Sequence, residues 1–196
     1  MAITYPISMP SGNAVSSVTF MATNAVAYSR SPFTFEGQSH AYAGEMWSAD
    51  ITLKPMAEAD AEAWSAWLTS LRGQFGTFHL GNPFRNSLRS SGAPSSVTIT
   101  GSAGDRSVTV AMSGTLLAGD YFQLGTGTSS RLYKVLEDQT NGGTLEIWPA
   151  LRDAASTAAA VISSPVGTFR LASNEVSWSV NNLAHYGISF GAMEAI

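Results

Sequence analysis

Apolar and polar positions alternate with a period of two along most of this chain, the spacing of half-buried strands. Between Val15 and Val26 the residues are partly β-branched, with Val18, Phe20 and Ala22 on one side and Thr19 and Thr23 on the other. Ser31-Pro32 interrupts this run, Phe33 to Gly37 reads as half of a hairpin, and Trp47 to Leu53 alternates cleanly. One stretch changes period. From Met56 to Arg72 the residues are rich in the helix formers Ala, Glu and Leu. Trp64, Trp67, Leu68 and Leu71 fall at i, i+3, i+4 and i+7 and make one apolar stripe. Glu58, Asp60 and Glu62 lie where a helix dipole favours negative charge and Arg72 where it favours positive charge. Gly73 follows at the position that wants a left-handed residue. The pattern predicts a helix over 56–72 whose two tryptophans fill a core.

A strand at Gly76–Leu80 follows, closed by Gly81-Asn82-Pro83, and then a Ser/Gly/Pro-rich linker from Asn86 to Ser96. A second strand set begins at Val97. It comprises Val97–Thr100, Ser107–Val110, Tyr121–Leu124, Arg131–Leu136 and Thr144–Trp148. Turns at Gly104-Asp105, Gly119-Asp120 and Asn141-Gly142-Gly143 separate the strands, a spacing that suits a small barrel or sandwich. Pro149 ends the set, and Ala154 to Ala160 reads as an Ala-rich loop. Gly76-Thr77-Phe78-His79-Leu80 then recurs as Gly167-Thr168-Phe169-Arg170-Leu171. The two copies bracket the second set and predict two strands of one domain with another domain inserted between them. From Glu175 to Ala195 alternation resumes (Val176, Trp178, Val180; Tyr186, Ile188, Phe190), as for a return to the first sheet. The expected fold is mainly β. Residues 1–84 and 165–196 form a β-sandwich carrying the helix, and residues 85–164 form an inserted small β-barrel or sandwich.

Composition narrows the function. Charged residues are 12% of the 196, about half the usual share, while 44% are hydrophobic and five are Trp, which argues against disorder. So sparse a charge fits either a surface covered by partners or a Ser/Thr-rich β-surface. The net charge is −4 and the only lysines are Lys54 and Lys134, with the arginines scattered, so no specific nucleic-acid binding is expected. Cysteine is absent, which removes disulfides and thiolate zinc sites. The first residues lack the basic start and apolar core of a signal peptide, and no run approaches the length of a membrane span. A chain made in a reducing cytoplasm fits both facts.

No catalytic constellation emerges. His40, His79 and His185 are far apart and make no local metal pair. Gly125 to Ser130 resembles a phosphate loop in composition, but a strand follows rather than a helix, so it reads as a hairpin loop. Asp120, Glu137, Asp138 and Glu146 share one predicted domain, and nothing else marks them as a catalytic pair. No catalytic residue, cofactor-binding residue or metal ligand is assigned, and the chain is read as a non-enzyme that binds no membrane.

Two stretches carry a resemblance. One is Trp64-x-x-Trp67-Leu68-x-x-Leu71-Arg72-Gly73-x-x-Gly76-x-Phe78-x-Leu80-Gly81-x-Pro83. The other is Gly114-Thr115-Leu116-x-x-Gly119-Asp120-Tyr121-Phe122-x-Leu124, continuing through Arg131-Leu132-Tyr133-x-Val135 and Leu145-x-Ile147-x-Pro149-x-Leu151-Arg152. Together they resemble the distal tail proteins of long-tailed, non-contractile bacteriophages, over roughly residues 45–195. The resemblance implies an N-terminal sandwich related to tail-tube subunits and a second domain of OB-like or galectin-like character. It implies a virion protein of the tail tip, forming a homohexameric ring that joins the tail tube protein to hub and fibre proteins while DNA passes through the lumen. A competing reading is a carbohydrate-binding or receptor-binding tail-tip protein that stacks sugars on Tyr121, Tyr133 or Trp148.

Overall fold

The structure, a computed structural model, describes residues 3–10, 14–181 and 185–196. It is mainly β with one helix. The strands are β1 (Val15–Arg30), β2 (Gly37–Leu53), β3 (Thr77–Gly81), β4 (Val97–Gly101), β5 (Ser107–Met112), β6 (Thr115–Leu116) and β7 (Tyr121–Leu124). They continue with β8 (Arg131–Val135), β9 (Gln139–Thr140), β10 (Gly143–Trp148), β11 (Ala155–Ala160), β12 (Val166–Leu171), β13 (Trp178–Val180) and β14 (Tyr186–Glu194). The helix α1 spans Glu58–Ser70. No helix of the described residues is long and apolar enough to cross a membrane.

The first sheet has the order β1-β2-β14-β12-β3, with β13 paired to the start of β14. The echoed pentapeptides are its β3 and β12. They run antiparallel as direct neighbours, with Phe78 opposite Phe169 and Leu80 opposite Gly167. The apolar parity of β2 and β14 turns one face of this sheet inward: Trp47, Ala49, Ile51 and Leu53 on β2, Ile188 and Ala192 on β14, all buried. The helix lies over that face. Trp64 and Trp67 meet edge to face at 5.5 Å, and Trp67 packs on Phe78 at 5.1 Å and on Phe190 at 5.8 Å. Both tryptophans therefore sit in the core, as the stripe predicts. The helix is shorter than the predicted 56–72. Met56 instead makes an isolated bridge to Tyr186, and Arg72 falls just past the last turn. Gly73 has φ +68°, and a Cβ there would lie 2.7 Å from Asn174 Oδ1.

Between β3 and β12 in the chain, β4 to β11 form sheets of their own. The larger has the order β11-β4-β5-β10-β8-β7, and a Gln123–Val161 bridge joins its two ends into a nearly closed barrel. Its core is a separate cluster around Ile99, Val110, Leu116, Phe122, Tyr133, Val135, Leu145 and Ile147. The Ala-rich stretch expected as a loop is strand β11. Ala158–Ala160 pair with Val97–Ile99, after an irregularity at Thr157, where φ is +50°. Alanine has little strand preference of its own, and the pairing edge of β4 overrides it. The expected 86–96 linker makes no strand, but it is tethered: the Arg89 N–H donates to Asp120 at 3.2 Å, and Leu88 packs against the barrel core.

The hairpin near the N-terminus is also longer than its pattern. β1 runs on to Arg30, β2 starts at Gly37, and residues 31–36, which include most of the stretch Phe33 to Gly37 expected as half of a hairpin, are the turn between them. Trp64→Ala removes one of three buried tryptophans of the first core and should cost about 3–5 kcal/mol; thermal melting that matches the parent protein would show that the helix is not held by this contact.

Candidate assembly surface

Two arrangements distinguish this molecule: a polar clamp that locks the two cores together and a bare hairpin arm. The clamp begins with two carboxylates in the wrong company. Glu45 precedes Trp47, Ala49, Ile51 and Leu53 on the apolar parity of β2, and Glu194 follows Ile188, Phe190 and Ala192 on that of β14. Both are buried. A buried carboxylate is costly unless paired and hydrogen-bonded. Each finds its partners on the barrel side. Glu45 Oε1 accepts from Arg106 Nε at 2.7 Å and Oε2 from the Ala150 N–H at 2.5 Å. Arg152 donates through one terminal nitrogen to Glu194 Oε2 at 2.7 Å and to the Glu45 carbonyl at 2.6 Å. Glu194 Oε2 also accepts from the Trp47 N–H at 3.2 Å. Beside it, Trp47 Nε1 donates to the Leu132 carbonyl at 2.9 Å. The resemblance motif included Arg152 with no role; the signal that marks the clamp is a carboxylate at core parity in each of two strands.

The Arg152 N–H also donates to the Tyr133 hydroxyl at 3.0 Å. Tyr133 is stacked on Phe122 at 5.3 Å, and burial pushes its pKa above the ordinary value, an effect that the Arg152 bond partly opposes. It has no open face for a sugar. Tyr121 and Trp148 sit half-buried at the junction of the two cores. Lys134 Nζ lies 5.4 Å from the centroid of the Tyr121 ring, and Trp148 meets Trp47 edge to face at 4.4 Å while its Nε1 donates to Asn24 at 2.7 Å. Of the three aromatics named for stacking, Tyr133 is enclosed, whereas Tyr121 and Trp148 line an open groove with Phe20, Asn24 and Lys134.

The other candidate groups are dispersed. His40 lies on the arm, 4.8 Å from the Tyr42 ring. His79 Nε2 is 3.1 Å from the Gly127 carbonyl, and the His185 N–H donates to Asn181 Oδ1 at 2.9 Å; among the described residues no group of three His, Asp or Glu could hold an ion. The loop Gly125–Ser130 joins β7 to β8 and contains a single 3-10 turn at Gly127–Ser129. Asp120 is buried and occupied, accepting from Arg85 at 2.5 Å and from the Leu117 N–H at 3.0 Å. Asp138 accepts from the Ala118 N–H at 2.7 Å.

The arm is the outer part of the β1–β2 hairpin. Its root pairs regularly up to Asn24 opposite Glu45. Pairing then resumes at Val26 opposite Ala41, so three residues, Tyr42 to Gly44, face Ala25 alone. A bulge of this kind bends a strand pair and re-aims what lies beyond it. Beyond it every residue of both strands is exposed. Tyr28 is 66% exposed and Phe33, at the turn, 91%. The turn is ordered by its own bonds: Ser31 Oγ accepts from the Phe33 and Thr34 N–H groups, and Arg30 stacks over Phe35 at 4.7 Å. Between residues 21 and 44 only Arg30 and Glu36 carry charge. The outer edge of β1 pairs with no strand among the described residues. Soluble proteins usually guard such an edge with charge, proline or a bulge along it.

Two outcomes test the clamp. Arg152→Met leaves Glu194 buried without its cation and should cost about 3–5 kcal/mol in urea unfolding, with part of the loss recovered by adding Glu194→Gln. For Tyr133 the folded-state pKa lies above the unfolded one, so its contribution is complete below about pH 10 and is lost as pH rises through the folded value. Alkaline melting curves should therefore fall more steeply for the parent protein than for Tyr133→Phe.

No protein-family model matches the chain, and no curated protein is significantly similar to it.

Proposed function

We propose that this protein is a structural ring component at the distal end of a long, non-contractile phage tail, joining the tail tube to hub and fibre proteins. The observation that carries the reading is the arm: a long hairpin with exposed aromatics, an open edge and two charges, which has no use on a free monomer. A two-stranded hairpin is marginally stable by itself in water, and an open edge invites association. A closed cyclic assembly covers such edges and stops growth at one size. The resemblance over residues 45–195 supplies the setting, a ring of six around a lumen that passes DNA. A net charge of −4 suits a channel that must not retain a polyanion. The protein acts by shape, with no catalytic step, and its place is the virion, after synthesis in the host cytoplasm.

The receptor-binding alternative loses Tyr133, which is buried, and would rest on the half-exposed Tyr121 and Trp148 alone. A reconstruction of the intact tail tip should contain six copies of this chain in one ring directly beneath the tube. A single copy, or copies at a peripheral fibre position, would remove the ring reading.

A further inference from the structure

The arm offers one half of a contact, and the opposite edge of the same sheet offers another. The sheet order places the β1–β2 hairpin at one edge and β3 at the other. Just before β3, the turn after the helix displays Phe75, 73% exposed and edge to face with Tyr5 at 6.0 Å. This aromatic is rigidly presented. The Gln74 N–H donates to Asn174 at 3.1 Å, Gln74 Nε2 to the Ala172 carbonyl at 2.9 Å, and the Gly76 N–H to the Leu71 carbonyl at 2.8 Å. Tyr5 is held by its hydroxyl, which donates to the Ser70 carbonyl at 2.6 Å. Exposed Arg72 stands three residues before Phe75 in the same turn and exposed Ile3 two residues before Tyr5; we term this region the heel.

We propose that the arm of one copy docks on the heel of the next, with Phe33 and Tyr28 packing against Phe75 and Tyr5 and Glu36 meeting Arg72. Both halves present exposed aromatics on turns held by their own hydrogen bonds, and aromatic anchors dominate interface energetics. The charges agree as well. At the arm tip Arg30 is engaged with Phe35, by stacking and by a 3.1 Å bond to its carbonyl, which leaves the Glu36 carboxylate to meet the heel guanidinium. The two patches are different surfaces at opposite edges, so the contact is heterologous: each copy gives an arm and receives one. Such a contact makes a ring when its rotation closes and a filament when it does not. This inference rests on the ring reading above and names the surfaces that would build it.

The chain contains no cysteine, which makes the test clean. Phe33→Cys combined with Phe75→Cys, oxidised mildly in concentrated solution, should give a disulfide ladder on a non-reducing gel that climbs past dimer and ends at one closed species. Each single variant should stay monomeric. Tyr28→Cys with Phe75→Cys provides a second pair, and circular dichroism confirms that these surface substitutions leave the fold intact. Dimers from Phe33→Cys alone would mean that arms meet arms, and no ladder from either pair would mean that the heel is not the receiver; either overturns the proposal. A ladder from a chain that forms no ring in the tail tip leaves the contact standing and removes the tail reading. A tail-tip ring whose subunits do not cross-link does the reverse.

Discussion

The guanidinium of Arg152 is the constraint on which the arrangement of this molecule depends. The two apolar cores are separate clusters. Tyr121 and Trp148 reach from the barrel side into the first core, but apolar contact is non-directional and would allow the two parts to slide. Charged hydrogen bonds are directional and short. By bonding both the Glu194 carboxylate and the Glu45 carbonyl, Arg152 ties the last strand and the second strand of one sheet to the segment after β10. Glu45 answers with bonds to Arg106 and Ala150. Buried pairs of this kind add little net stability compared with apolar packing, but they penalise every misaligned arrangement. The clamp therefore sets orientation more than it sets stability.

The arm begins where that constraint ends. Glu45 is the last clamped residue of β2, and the bulge at Tyr42–Gly44 follows immediately on the arm side. Gly44 suits this place, since a Cβ there would lie 3.0 Å from the Ala25 methyl. One side of the bulge is fixed to two cores, and the other is exposed throughout. Any force on the arm is thus delivered at the residue whose carboxylate and carbonyl both bind arginines of the barrel.

Which parts were readable from the sequence follows from how local their physics is. The helix was readable because Trp64, Trp67, Leu68 and Leu71 carry its period and Gly73 its end. The β3–β12 pair was readable through a repeat, because neighbouring strands facing the same core under the same helix were given the same residues. Strand β11 was not, since alanines take their conformation from the strand beside them. The arm was missed for a related reason. Its residues face no core, so their alternation is weak, and Ser31-Pro32 resembled a break when it is a turn. The clamp joins residues from opposite ends of the chain, and single charges at large separation leave no periodic trace. What did show was an anomaly of parity, Glu45 and Glu194 each standing where an apolar residue was due.

The pairing of β3 with β12 carries a consequence for how this architecture changes over evolution. Gly81 and Val166 are direct partners in an antiparallel ladder, so the chain leaves the first sheet and returns to it at points only about 5 Å apart. A gap that narrow can be bridged by a tight turn or by a whole domain with equal ease. The sheet is in effect a socket, indifferent to what is plugged into it. Arg152 supplies the key: a replacement module would hold its orientation only by presenting its own cation to Glu45 and Glu194, and without one those two carboxylates would have to change with it.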